Sequence, residues 1–144
     1  MTSKEIISKL PYSKPFLFVD VITQVDENGI QGQFTFNTNL DFYKGHFKDN
    51  PVTPGVILIE VMAQIGLVSY GIYLLNASVS SPIAIALTSS SIDFLKPVFP
   101  NEKVTVRSEK IYFRFNKLKC KVEMKNSIGE VVCKGEIAGM MVAH

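Results

Sequence analysis

The sequence predicts an α+β fold in which a strongly curved antiparallel sheet wraps around one long helix. Three observations lead there. A single helical stretch, Gly55 to Leu75, is apolar on nearly every side and so needs cover on nearly every side. Other stretches alternate polar and apolar residues with the period of two that half-buried strands show. The elements also come in an order that leaves one sheet to enclose one helix: short helix, two strands, long helix, then about four strands.

The elements can be justified in turn. Thr2 and Glu5 have the spacing of a capping box, so a short helix opens the chain, and Pro11 blocks it beyond Leu10. "FLFVDVITQVD" reads as a strand, "ENG" as a turn and "IQGQFTFN" as its hairpin partner. The aromatic, turn-rich "TNLDFYKGHFKDNPVTP" is irregular. Pro54 then suits the first helical position, with Thr53 as N-cap.

After Pro82 the pattern is β to the end. "IAIALTSSSIDFL" is a strand and "KPVFPNE" a Pro-bounded turn. In "KVTVRSEKIYFRFN" the inward parity switches between Val106 and Ile111, which predicts a bulge around 108–110. "KLKCKVEMK" alternates cleanly, with Leu118, Cys120, Val122 and Met124 inward and its lysines outward on a solvated face. "NSIG" turns the chain, and "EVVCKGEIAGMMV" closes the sheet. What the sheet leaves uncovered on the helix, a second subunit can cover. This arrangement is the hotdog fold, expected as one domain over residues 1–144.

At 144 residues, 47% hydrophobic and 19% charged, the chain is of a soluble, globular type with length for one well-buried core. A formal net charge of +2 gives no argument for a nucleic-acid partner. Cys120 and Cys133, the only cysteines, offer neither a disulfide framework nor metal-ligand spacing, and read as reduced thiols. No secretion signal is visible in "MTSKEIISKL", so a cytoplasmic protein is expected. The apolar stretch has the length of a membrane span, about 20 residues. Yet Glu60 and Gln64 sit within it one turn apart, it has no basic flank, and it ends in the polar "NASVSSP". A buried core helix is the better reading.

Glu60 is the first candidate for chemistry. It lies in "VILIEVMAQ", where a carboxylate costs several kcal/mol unless it is paired or kept neutral. There are two histidines. His144 is terminal and reads as solvated. His46 sits in an irregular loop leading into a helix N-terminus, where free N–H groups favour negative charge. An imidazole near its ordinary pKa is a general base, and an acid kept neutral by apolar surroundings is a proton donor. The backbone N–H groups of Gly55 and Val56 can hold an oxyanion. Gln64, one turn beyond Glu60, can orient its carboxyl. Together these parts suit removal of water across the α and β carbons of a thioester.

"PFLFVD", "GHFKDNPVTPGVILIEVMAQ" and "FLKPVFPNEKV" resemble, over nearly the whole chain and in the same order, the (3R)-hydroxyacyl-acyl-carrier-protein dehydratases of the FabZ type. The resemblance implies conversion of 3-hydroxyacyl chains on acyl carrier protein to trans-2-enoyl thioesters. It places His46 as catalytic histidine, Glu60 as catalytic acid and Gly55 as the residue polarising the thioester carbonyl. It implies no metal or organic cofactor, and an apolar tunnel beside the helix. It further implies a homodimer, assembling in some cases into a hexamer, whose site takes histidine and acid from different protomers. Lys44, Lys48, Lys96, Lys103 and Arg107 are the candidates for docking an acidic carrier protein. Where such enzymes usually carry His-Arg after the first Leu-Pro, this chain has Tyr12 and Ser13; Lys48, Thr53 and Asn101-Glu102 also depart. These departures suit a dehydratase for a specialised product, such as a polyene or aryl-polyene chain, and set that expectation beside primary fatty-acid synthesis. Two alternatives are a half-site or non-catalytic subunit of a heteromeric dehydratase, and a hotdog thioesterase.

Overall fold

A computed structural model of the protein describes residues 1–75 and 84–142. His144, the polar loop 76–82 and the start of the following strand at Ile83 lie outside the described residues.

Helix α1, Ser3–Ser8, opens on the expected reciprocal cap: the Glu5 N–H donates to Thr2 Oγ1 at 3.2 Å, and the Thr2 N–H donates to the Glu5 carboxylate at 3.4 Å. Strands β1 (Val21–Val25) and β2 (Gly29–Thr35) form a hairpin. Its turn is fixed by Asp26 Oδ1, which accepts from the N–H groups of Asn28 and Gly29. Strand β1 begins at Val21 rather than at Phe16. The reason lies far along the chain. The Phe16 carbonyl and the Phe18 N–H, which a strand would use in its ladder, are taken by the side chain of Gln64.

Helix α2 runs from Gly55 to Leu75 in three parts: α-helical Gly55–Ala63, a π-helical stretch Gln64–Ser69, and α-helical Tyr70–Leu75. Two serine hydroxyls answer carbonyls of the π stretch. Ser69 Oγ donates to the Gln64 carbonyl at 2.7 Å, and Ser108 Oγ to the Gly66 carbonyl at 2.9 Å. The helix has the length and hydropathy of a membrane span, but 72% of its most apolar window is buried inside the fold.

Strands β3 (Ala84–Phe94), β4 (Lys103–Arg114), β5 (Lys117–Lys125) and β6 (Val131–Val142) complete a six-stranded antiparallel sheet of order β1-β2-β4-β5-β6-β3. The π stretch of α2 packs against β2, β3, β4, β5 and β6, because the sheet curls round it. The inward residues of β5 are Leu118, Cys120, Val122 and Met124, as alternation predicts. The β4 irregularity falls between Lys110 and Tyr112, just beyond the expected 108–110. Ser108 stays in register because its hydroxyl is held by the helix. Both cysteines are buried, and burial pushes the Cys120 and Cys133 thiols up to about 11 and about 12.

Candidate active site

The loop before α2 places His46. A 3₁₀ turn, Asp41–Lys44, ends at Gly45, and the His46 N–H continues it by donating to the Phe42 carbonyl at 3.0 Å. The Val52 N–H returns to the His46 carbonyl at 2.8 Å, and Val52 O lies 2.9 Å from His46 Nδ1. A carbonyl can only accept, so Nδ1 carries the ring proton and, in the neutral ring, Nε2 keeps its lone pair. The imidazole stacks on Phe47 at 4.2 Å, across a cis His46–Phe47 peptide.

The tip of α2 stands beside this ring. Gly55 is its first residue and Pro54 its N-cap, with no side-chain cap. Thr53, expected to cap, is buried, its hydroxyl paired with that of Tyr43 at 2.5 Å and its N–H donating to the Val98 carbonyl. The polar partners of Thr53 thus draw it away from the tip. The Ile57 N–H donates back to the Pro54 carbonyl, whereas the Gly55 and Val56 N–H groups lie in the first turn, where the helix itself offers them no carbonyl. His46, Val52, Gly55, Leu58, Phe94 and Leu95 line one cavity of about 400 Å³. A side chain at Gly55 would begin 3.2 Å from the Phe94 ring, tighter than ordinary contact, so the ring would have to give way. The Val56 side chain points away, 73% exposed.

Glu60 is reached one turn after Val56, on the same face. Its Oε2 accepts from Gln64 Nε2 at 2.9 Å. Burial holds the Glu60 carboxyl above the ordinary range, partly offset by that hydrogen bond. Gln64 is wholly buried and fully used: Nε2 also donates to the Phe16 carbonyl at 2.9 Å, and Oε1 accepts from the Phe18 N–H at 2.8 Å. His46 and Glu60 therefore have separate partners within the chain, Val52 for one and Gln64 for the other. One further residue belongs to this neighbourhood: Phe94, whose ring faces Gly55 at the helix tip. In the sequence it was visible only as the first residue of "FLKPVFPNEKV", with no role attached.

The cations divide. Lys44 is 3.4 Å from Asp41, Lys48 is exposed in the turn after Phe47, and Lys96, on the cavity rim, pairs with Glu130. Lys103 opens β4, and Arg107 lies among Glu109, Lys121 and Glu123 on another part of the sheet, 3.9 Å from Glu109. Among the described residues, no three His, Cys, Asp or Glu side chains are grouped to hold a metal ion.

Comparison with known proteins supplies the context. The family model of the FabA-like domain matches residues 10–138. The 3-hydroxyacyl-acyl-carrier-protein dehydratase FabZ of Bacillus licheniformis is 33% identical over 138 residues, covering 95% of this chain and 93% of the relative. The protein of the same description from Caldicellulosiruptor bescii is 35% identical over 135 residues, covering 92% and 93%. Among solved structures, a chain of the dehydratase heterocomplex ApeI:P from Xenorhabdus doucetiae superposes with a TM-score of 0.81 at 14% identity, over 96% of this chain and 91% of that one. A thioesterase from Haemophilus influenzae gives 0.63 at 16% identity, over 85% and 77%. These two likenesses identify the hotdog fold.

Proposed function

The chain belongs to the FabA-like family, and on that premise we propose that it is a 3-hydroxyacyl-acyl-carrier-protein dehydratase, working without a metal or organic cofactor. The observation that carries the reading is the His46 ring, its Nδ1 committed to Val52 O, in one cavity with the uncapped tip of α2. The thioester carbonyl oxygen sits against the Gly55 and Val56 N–H groups. Nε2 of His46 removes the α proton as charge moves onto that oxygen. Glu60, its carboxyl pKa raised above the ordinary range by burial, gives its proton to the departing β-hydroxyl. Water leaves, the α–β double bond forms, and the imidazolium proton returns to the carboxylate. Gln64 fixes the carboxyl's orientation.

Base and acid meet between two copies of the chain in this proposal. Phe94 and Leu95, which line the cavity, are 50% and 53% exposed, and Val56, turned away from it, is 73% exposed; a second copy would cover these apolar side chains. Strand β3 is eleven residues long and, among the described residues, pairs only with β6, so its other edge is available to an equivalent strand. A homodimer formed there, able to assemble further into a hexamer, brings His46 of one protomer to Glu60 of the other. Acyl carrier protein docks through Lys44, Lys48 and Lys96 near the mouth, and its binding weakens as salt rises. The enzyme acts in the cytoplasm, on chains of primary fatty-acid synthesis or of a specialised polyene-type product.

The test is to follow enoyl formation from 3-hydroxyacyl carrier protein with the purified protein, His46→Ala and Glu60→Gln. Release of free acid in place of enoyl product would favour a thioesterase. A second reading, half of a heteromeric dehydratase, is suggested by the likeness to a chain of a dehydratase heterocomplex. Silence alone and turnover with a partner chain would support it.

A further inference from the structure

Two buried hydroxyls close the loop that carries His46. Tyr43 and Thr53 are 7% and 5% exposed, and the Tyr43 hydroxyl lies 2.5 Å from Thr53 Oγ1. Buried this far, each hydroxyl needs the other, and removing one leaves its partner unsatisfied. The pair is placed to set a spacing. Tyr43 stands in the 3₁₀ turn three residues before His46, and Thr53 stands two residues before Gly55, the first residue of α2. Their bond therefore ties the chain leading to the imidazole to the chain leading to the helix tip. Thr53 is held from a third side, where its N–H donates to the Val98 carbonyl at 2.8 Å. Val98 follows directly on Phe94, Leu95, Lys96 and Pro97, which line the same cavity as His46 and Gly55. Loop, helix tip and far wall thus meet at one threonine. Inside this closure lie the two bonds between His46 and Val52, the neighbour of Thr53. Where the Val52 carbonyl stands decides whether it can accept from Nδ1, and Val52 is one peptide bond from the Tyr43–Thr53 link.

We propose that Tyr43 and Thr53 are positioning residues for His46: their paired hydroxyls hold the Val52 carbonyl against the ring, and so fix both the proton on Nδ1 and the placing of Nε2 beside the Gly55 N–H. The effect on dehydration rests on His46 being the base of the proposed reaction. The effect on the ring proton does not.

The experiment uses the full chain labelled with ¹⁵N-histidine, as wild type, Tyr43→Phe/Thr53→Val and Thr53→Ser. NMR reads which nitrogen of the His46 ring carries the proton, with His46→Ala separating its signal from that of His144. Thermal unfolding is measured alongside, with kcat and KM on 3-hydroxyacyl carrier protein. The double variant removes both polar groups and keeps their shape, so its unfolding temperature stays close to wild type. Its neutral His46 ring, released from the Val52 carbonyl, moves from the Nδ1–H form toward the Nε2–H form. Its kcat falls about 10- to 100-fold while KM changes little, since a small misplacement of a reacting group costs that much. Thr53→Ser, which keeps a hydroxyl, retains the Nδ1–H form and most of kcat. Tyr43→Phe alone replaces the double variant if that fails to fold. A double variant that keeps the Nδ1–H form overturns the proposal. So does one with wild-type kcat beside wild-type stability, since the pair would then serve the fold alone. Thr53→Ser behaving like the double variant also overturns it, because the hydroxyl would not be responsible. A wild type that does not dehydrate, yet whose ring proton moves in the double variant, sinks the dehydratase reading while upholding the hold of the pair on His46.

Discussion

Gln64 holds Glu60 across one helical turn, Nε2 to Oε2 at 2.9 Å, and the same nitrogen holds the Phe16 carbonyl. One side chain thus sets the direction of the acid and the path of the segment before β1. Because Gln64 is wholly buried, no solvent stands ready to replace it.

Gln64→Leu removes the partners of the Phe16 carbonyl and the Phe18 N–H together. An unsatisfied buried polar group costs about 1–3 kcal/mol. Urea unfolding of the variant is expected to show a loss of at least about 2 kcal/mol. A loss within the error of the measurement would mean that the loop finds other partners.

His46→Ala and Glu60→Gln are each expected to lower dehydration by about 10²–10⁴-fold. The loss is of chemistry and not of fold, so circular dichroism and oligomeric state should match wild type. Mixing the two inactive variants supplies a sharper check. If base and acid come from different protomers, mixed dimers contain one intact site and part of the activity returns. If each site is built within one chain, nothing returns.

The raised pKa of Glu60 gives a signed stability effect. Below the ordinary value of 4.5 the carboxyl is protonated both folded and unfolded, and its burial carries no ionisation cost. As pH rises from there through the higher folded-state pKa, the unfolded chain gives up the proton more readily and the fold loses stability. Glu60→Gln has no such proton to lose. Its melting temperature relative to wild type should therefore be higher at pH 8 than at pH 4. A constant difference across that range would show that Glu60 is not desolvated.

The β4–β5 hairpin turns through Phe115 and Asn116, with φ of 51° and 62°. A bulky side chain in this left-handed region costs about 1–2 kcal/mol, and Asn tolerates it better. Phe115 is 91% exposed, so its replacement gives up almost no burial. Phe115→Asn is expected to raise stability by roughly 1 kcal/mol, read from urea or thermal unfolding. A destabilised variant would mean that the ring has a partner beyond the chain.

Much of the fold was legible because its signals are local. The Thr2–Glu5 cap, the uniformly apolar helix and the alternation of Leu118 to Met124 each depend on residues a few positions apart. The start of β1 was not, because Gln64, 46 positions from Phe18, competes with the ladder for backbone groups. Nor was the π stretch: where every face is buried, side-chain periodicity says nothing about hydrogen-bond spacing. In the site, His46 and Gly55 lie nine positions apart on one loop and helix tip, so their common cavity follows from short-range geometry. Phe16 and Phe18 come to Gln64, the partner of Glu60, only because the segment before β1 is laid over the helix, which no local pattern announces.

The switch of winding between Gln64 and Ser69 accommodates about one more residue than an unbroken α-helix would. Each residue of an α-helix advances the side chains by about 100°, so Tyr70 and its successors are rotated out of phase with Gly55 to Ala63. The rod is two half-helices joined with an angular offset. Deleting one residue from the junction would re-aim the far half against the sheet and leave the half that bears Glu60 pointing as before.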